Sequence, residues 1–146
     1  MKFARILVGI CSTLLIAGGL QAADDVQFNR DVRPILASHC FACHGPAKQE
    51  AGLRLDDRNA AVKATESGAT PIVPGKVESS EVVARILSAD PDHMMPPPST
   101  KKVLSAAEKD TLKRWIAEGA VYQKHWAFET PERREPPRVP ATGAPA

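Results

Sequence analysis

The segment HCFACHGP, residues 39–46, decides how this 146-residue chain folds. It contains a C-x-x-C-H pattern, in which two residues separate Cys40 from Cys43 and His44 follows directly. Thiols held about one helical turn apart can each add to one vinyl group of a haem, and the adjacent histidine is then placed to ligate the iron. The pattern therefore predicts one covalently attached haem c, held by Cys40 and Cys43 and ligated by His44.

Three other uses of the two cysteines compete with haem attachment. A structural zinc site needs four ligands, and His93 and His125 lack the paired histidine spacing of such sites. A thioredoxin-type redox pair follows a strand, whereas an apolar pattern of helical spacing leads into Cys40. A plain disulfide would leave His44 as a coincidence. Haem attachment is the interpretation that uses all three residues.

The sixth iron ligand is predicted in a proline-rich loop over residues 90–100. Met95 stands 51 residues after His44, and a thioether ligand raises the reduction potential of a haem. Pro96 favours an extended backbone at Met95, so that Met95 and its neighbour Met94 would point to opposite sides. We expect Met95 to be the ligand, with Met94, His93 and His125 as the alternatives.

The N-terminus has the layout of a secretory signal peptide over residues 1–22. Lys2 and Arg5 precede an apolar run, and the small residues Ala22 and Ala23 follow it. Its removal leaves 17 of the 19 Lys and Arg residues against 17 acidic ones, so the mature protein is near neutral. We expect export to the periplasm, an unidentified redox partner protein and no nucleic-acid partner. A membrane contact is expected only if the leader stays uncleaved as an anchor.

Three helices separated by loops are predicted for the mature chain, so the fold class is all-α. The first begins near Asn29 as N-cap and carries an apolar face into the motif; the second begins at Ser79 or Ser80. The last has a capping box at Ser105 and Glu108 and ends at Gly119. Leu53 and Leu55 suggest a short extended piece, and residues 129–146 a proline-rich disordered tail.

Several side chains are candidates to support a haem. Trp115, with Leu112 and Ile116, is expected in a core that would include the ring. His39 is expected as a polar neighbour of the motif. The carbonyl of Pro71 or Pro74 could accept a hydrogen bond from the His44 ring. Four cations could pair with the haem propionates: Arg54, Arg58, Lys76 and Arg85.

The order of these motifs resembles the planctomycete-type cytochrome c domain over about residues 26–128. The strings that carry the resemblance are FNRDVRPIL (28–36), HCFACHGP (39–46), AGLRLD (51–56), VPGK (73–76), MPPP (95–98), residues 112–119 and HWAF (125–128). The resemblance implies a small class I cytochrome c-like domain wrapped around one haem, with its first and last helices packed across each other. By the same resemblance Cys40, Cys43 and His44 attach and ligate the haem, and Met95 matches the methionine of the loop.

Two departures from that resemblance are visible. Met94 stands where similar domains commonly carry a basic residue, and the further domains that usually follow the Trp-Ala-Phe segment in similar proteins are not expected here. The function expected is single-electron transfer by a His/Met-ligated haem, without enzymatic activity. The alternatives are a haem-bearing docking module of a larger exported assembly and an open-site haem domain that binds a small ligand or catalyses a reaction of a small molecule at the iron.

Overall fold

The structure is a computed structural model, and it describes residues 25–124 and 127. The predicted signal peptide, His125 and the proline-rich tail lie outside these described residues. The proposed domain limits of 26 and 128 therefore stay predictions.

The described chain is helical, which confirms the all-α prediction. It contains four α-helices: α1 (Arg33–His39), α2 (Arg58–Ala61), α3 (Glu81–Leu87) and α4 (Ala106–Ala117). A π-helical turn precedes α1, and three 3₁₀ turns lie in the loops, at Glu50–Gly52, Val77–Ser79 and Pro98–Thr100. Between residues 25 and 124 no strand forms, and one isolated β-bridge joins His44 and Gln49.

The first predicted helix is present but begins differently. A π-helical turn at Phe28–Val32 leads into α1, with Pro34 in the first turn of α1, where a missing N–H costs nothing. The expectation that Asn29 is the N-cap was wrong. Gln27 occupies that position, and the Asn29 side chain instead donates to the carbonyl oxygen of Lys124 over 2.7 Å. A long-range hydrogen bond has replaced the local cap.

The prediction of three helices was also wrong by one, because α2 was missed. Asp57 caps α2 by accepting a hydrogen bond from the Ala60 N–H at 3.0 Å, so the signal was a single N-cap before a helix of one turn. At the expected extended piece, Leu53 has extended backbone angles directly after the 3₁₀ turn at Glu50–Gly52, but residues 53–55 form no strand. Both segments are short, and periodicity carries little information over such lengths.

The second predicted helix, α3, begins after Ser80 as expected, but the side chain of this N-cap residue makes no capping hydrogen bond. The buried Ser80 hydroxyl accepts from the Val73 N–H at 2.9 Å and donates to the Lys76 carbonyl at 2.9 Å. The residue thus fixes the preceding loop against the start of α3.

The last predicted helix is present as α4, and the features predicted for its two ends are confirmed. The Ser105 hydroxyl accepts from the Glu108 N–H at 3.2 Å, and the Glu108 carboxylate accepts from the Ser105 N–H at 2.8 Å. Gly119 follows with a φ of +101°, a conformation that glycine adopts without strain. The capping box and the glycine therefore set the two ends of α4.

The core lies where α4 meets the N-terminal turn and α3. The contact expected between the first and last helices is made by the Phe28–Val32 turn on α4. Trp115 is fully buried with Leu112 and Ile116, as predicted, and its ring lies 5.7 Å from Phe28 and 5.1 Å from Tyr122 between centroids. Cys40 and Phe41 of the C-x-x-C-H segment pack against the core that contains Phe28 and Trp115.

Within residues 25–124 and at residue 127, none of the helices has the length and apolar character needed to cross a bilayer.

Candidate functional site

The C-x-x-C-H segment forms a tight turn at the C-terminal end of α1. The N–H groups of Cys40 and Phe41 both donate to the Leu36 carbonyl, at 2.8 and 2.9 Å, which ends the helix. The N–H groups of Cys43 and His44 then donate back to the Cys40 carbonyl, at 3.1 and 2.9 Å. The turn brings both thiols and the imidazole to one end of the helix.

Residues that follow the motif also fix the backbone of Cys43 and His44. Its carbonyl accepts a hydrogen bond from the Leu55 N–H at 2.9 Å, and the Cys43 carbonyl accepts one from Glu50 at 2.9 Å. Gly45 is buried, and a Cβ atom there would collide with the carbonyl oxygen of Phe41. Glycine is therefore required directly after the histidine for steric reasons, which is a constraint that the sequence pattern alone did not explain.

A mainly apolar cavity opens beside this turn. It contains about 1020 Å³ of space when the part open to solvent is counted. Its walls come from the end of α1, the segment after the motif, α3 and the proline-rich loop. The residues lining it are His39, Cys40, Cys43, His44, Glu50, Ala51, Leu53, Leu55, Thr65, Ser67, Ala69, Pro71, Glu81, Val82, Arg85, Ile86, Met95, Pro96, Pro97 and Thr100.

His44 supplies a direct test of whether the site fits a haem. Its Nδ1 atom is buried and has no hydrogen-bond partner. A buried imidazole nitrogen without a partner is costly and calls for an explanation such as an ion or ligand. Neither the Pro71 nor the Pro74 carbonyl reaches this nitrogen, so that expected hydrogen bond is not made in this structure. His44 is half-buried and lines a mainly apolar cavity, a setting that suits iron ligation.

Both cysteines of the motif are free thiols in this structure. Burial raises the pKa of Cys40 to about 11, because the apolar surroundings disfavour the thiolate; Lys102 opposes the shift and Cys43 adds to it. Cys40 is thus a protonated thiol at neutral pH. In the described part of the chain, no three His, Cys, Asp or Glu side chains are placed to hold a metal ion together.

The structure places Met95 at the same cavity as Cys40, Cys43 and His44. The backbone of Met95 is fixed by its N–H, which donates to the Arg85 carbonyl at 3.0 Å, and the Met95–Pro96 peptide bond is cis. Met94 is partly buried but does not line the cavity, and His93 is exposed to solvent. Of the ligand candidates in this loop, Met95 is the residue at the cavity.

His39 lies at the rim of the cavity and is paired across the fold. Its Nε2 atom is 3.1 Å from Glu108 Oε1 in α4, while its Nδ1 is buried without a partner. The carboxyl of Glu108 has a pKa below its usual range, because the Ser105 N–H and hydroxyl donate to it and His39 lies beside it. The expected polar neighbour of the motif is therefore also a link between α1 and α4.

Of the four cations considered for the propionates, only Arg85 lines the cavity. Arg54 instead donates two hydrogen bonds to the Asp56 carboxylate, from Nε at 3.1 Å and from a terminal nitrogen at 2.6 Å. Sequence reasoning did not single out Glu50 and Glu81, which also line the cavity, because exposed-looking glutamates on short elements carry no distinguishing signal.

The comparisons with known proteins agree with this site. Residues 40–99 match the family model described as Planctomycete cytochrome C, a span that contains Cys40, Cys43, His44 and Met95. No curated protein and no solved structure matches the chain. The resemblance to the planctomycete-type domain is confirmed over these residues. The match indicates a cytochrome c-type haem domain, which implies covalently bound haem c and an electron-transfer role.

Proposed function

We propose that this cytochrome c-type domain is an exported monohaem electron carrier whose iron is ligated by His44 and Met95. One observation carries the proposal. Met95 lies 51 residues beyond His44 in the sequence, and the fold brings both to the same cavity as Cys40 and Cys43. A site with two thiols, an imidazole and a thioether matches what a six-coordinate c-type haem requires.

A single haem follows from the number of cysteines. The chain has three, and Cys11 stands alone within the leader, so the sequence contains one C-x-x-C-H pattern. When bound, the haem supplies a reversible one-electron change of iron oxidation state. The protein's part is to hold and insulate that iron.

Different residues at the cavity would attach the haem, orient its ligands and exclude water. Cys40 and Cys43 would hold a bound haem through thioether bonds, and the two backbone hydrogen bonds of His44 fix the backbone that carries its imidazole. Leu53, Leu55 and Ile86 present apolar surface, which excludes water and favours the less charged reduced iron. The Met95 N–H donates to the Arg85 carbonyl of α3, which fixes the backbone that carries the thioether.

Small-ligand binding at an open iron position is less well supported. A site for haem catalysis or small-ligand activation typically has an acid–base pair beside the iron, and His93, the candidate for one in the loop over residues 90–100, is exposed and outside the cavity lining. We therefore favour a sealed iron whose function is electron transfer.

We also propose that the protein functions in the periplasm. Haem c is attached outside the cytoplasmic membrane, so the predicted signal peptide over residues 1–22 fits a periplasmic protein. The near-neutral mature chain gives no charge attraction to nucleic acid. Its partner would be a second redox protein that accepts or donates one electron.

The test is spectroscopy on the exported, purified protein. We expect one haem per chain by the pyridine haemochrome assay, a one-electron redox titration and a reduced spectrum that carbon monoxide does not change. Carbon monoxide binding by the reduced protein would instead support the open-site alternative. A haem that exchanges no electrons at accessible potentials would support the docking-module alternative.

A further inference from the structure

The cavity contains an ion pair that the proposed ligand set does not use. Glu81 and Arg85 stand one turn apart on α3, and Arg85 Nε donates to Glu81 Oε1 at 2.8 Å. Both residues line the cavity, whose surface is otherwise mainly apolar. Charged side chains are uncommon in such a lining, which suggests that they face a charged group of the ligand.

Arg85 differs in charge from every other described residue of the lining. The lining contains the acidic residues Glu50 and Glu81 and two histidines, and Arg85 is its one permanently charged cation. Glu50 is paired with Lys48, which is not in the lining. An anionic group that enters this cavity therefore has a single fixed positive partner available.

One hydrogen bond orients the guanidinium of Arg85, and its other N–H donors stay available. Glu81 takes the Nε–H, and among the described residues no hydrogen bond involves the two terminal NH₂ groups. The pair is about one-third exposed on each side, and ion pairs at that exposure are weak. Arg85 can thus bind a carboxylate through its terminal nitrogens while Glu81 holds its orientation.

We infer that Arg85 binds a propionate carboxylate of the haem and that Glu81 is its positioning residue. The inference rests on the proposed function, since haem carries two propionates. The Arg85 carbonyl also accepts the Met95 N–H at 3.0 Å. One residue thus supports the propionate through its side chain and the sixth-ligand loop through its backbone.

The experiment uses the haem-loaded protein and four variants: Arg85→Gln, Arg85→Lys, Glu81→Gln and Arg33→Gln. Arg33 is an exposed arginine of α1 that does not line the cavity, so R33Q matches the charge change of R85Q. Resonance Raman spectra report the propionate bending band, and redox titration reports the potential. The Met95 backbone hydrogen bond stays available in every variant, because it involves only the carbonyl of residue 85.

We expect R85Q to shift the propionate band and to lower the reduction potential, because a cation near the haem disfavours the oxidised state. R85K should shift the band less, since an ammonium keeps the charge but loses the paired geometry. E81Q should raise the potential, and R33Q should change neither quantity.

A propionate band that is the same in R85Q and R85K as in the wild type would overturn the inference, even if both variants were less stable. Should R85Q not fold, R85K alone decides the question through the same band. Failure of the proposed function would look different, because the reduced wild-type protein would then bind carbon monoxide or its haem would exchange no electrons at accessible potentials.

Discussion

Asn29 and Lys124 are joined by a hydrogen bond of 2.7 Å from the side-chain amide of the first to the carbonyl of the second. The Asn29 N–H also donates to the Gln123 side chain at 2.9 Å. The segment that follows α4 is thereby tied to the turn that precedes α1. Tyr122 adds a third link, since its hydroxyl donates to the Leu55 carbonyl at 3.1 Å, one wall of the cavity.

Removing the Asn29 side chain should therefore loosen both ends of the domain. We expect Asn29→Ala to lower the free energy of unfolding by about 1 kcal/mol, the usual contribution of one such hydrogen bond. Urea unfolding of the haem-loaded protein measures it, with the exposed Asn59→Ala on α2 as the matched control. Equal stability of the two variants would show that the Asn29 link contributes nothing.

Acid should weaken the domain partly through Glu108. Its folded-state pKa lies below the usual 4.5, so its contribution to stability is complete above about pH 4.5 and is lost as the pH falls through the lower folded-state pKa. Glu108→Gln keeps a side chain suited to the capping box but removes the charge. We expect a loss of up to about 1 kcal/mol at pH 7 and a flatter decline in stability below pH 4.5.

The control for that change is Glu78→Gln, an exposed glutamate of the Val77–Ser79 turn. Thermal melts of both variants between pH 3 and pH 7 give the comparison. If E108Q lost stability in acid as steeply as the wild-type protein, Glu108 would not be the titrating group responsible.

Replacing Cys40 and Cys43 by Ser should remove the covalent attachment of haem. Each single variant is expected to keep one thioether bond and to show a shifted reduced absorption band, while the double variant should lose its haem on acid–acetone extraction. Ala42→Ser, an exposed change within the same turn, should retain the haem fully. Covalent haem in the double variant would refute the assignment of these cysteines.

Without haem the domain should be poorly packed. A cavity lies beside the core, with about 1020 Å³ of space when its part open to solvent is included, and no side chain fills it. We expect a leaderless form produced in the cytoplasm to keep far-ultraviolet helical dichroism but to lose near-ultraviolet signal and cooperative melting. A melt as cooperative and as high as that of the haem-loaded protein would show that haem is not part of the core.

The sequence predicted best those features that depend on neighbouring residues. The capping box at Ser105, the buried face around Trp115 and the start of α3 all follow from local spacing, and all three are present. Asn29 was misassigned because its partner, Lys124, is 95 residues away, and α2 was too short to give a periodic signal. The sequence did not predict that Arg85 and Met95 line the same cavity as His44, because the cavity surface is assembled from segments that are distant in sequence.

The identity of the sixth ligand is tested most directly by carbon monoxide binding to reduced Met95→Ala and Met94→Ala. Met95 lines the cavity and Met94 does not, although they are neighbours in the same loop. We predict that Met95→Ala keeps its covalent haem, lowers the reduction potential and binds carbon monoxide, while Met94→Ala behaves as the wild type. Carbon monoxide binding by Met94→Ala with a silent Met95→Ala would contradict the account, and two silent variants would refute His/Met ligation altogether.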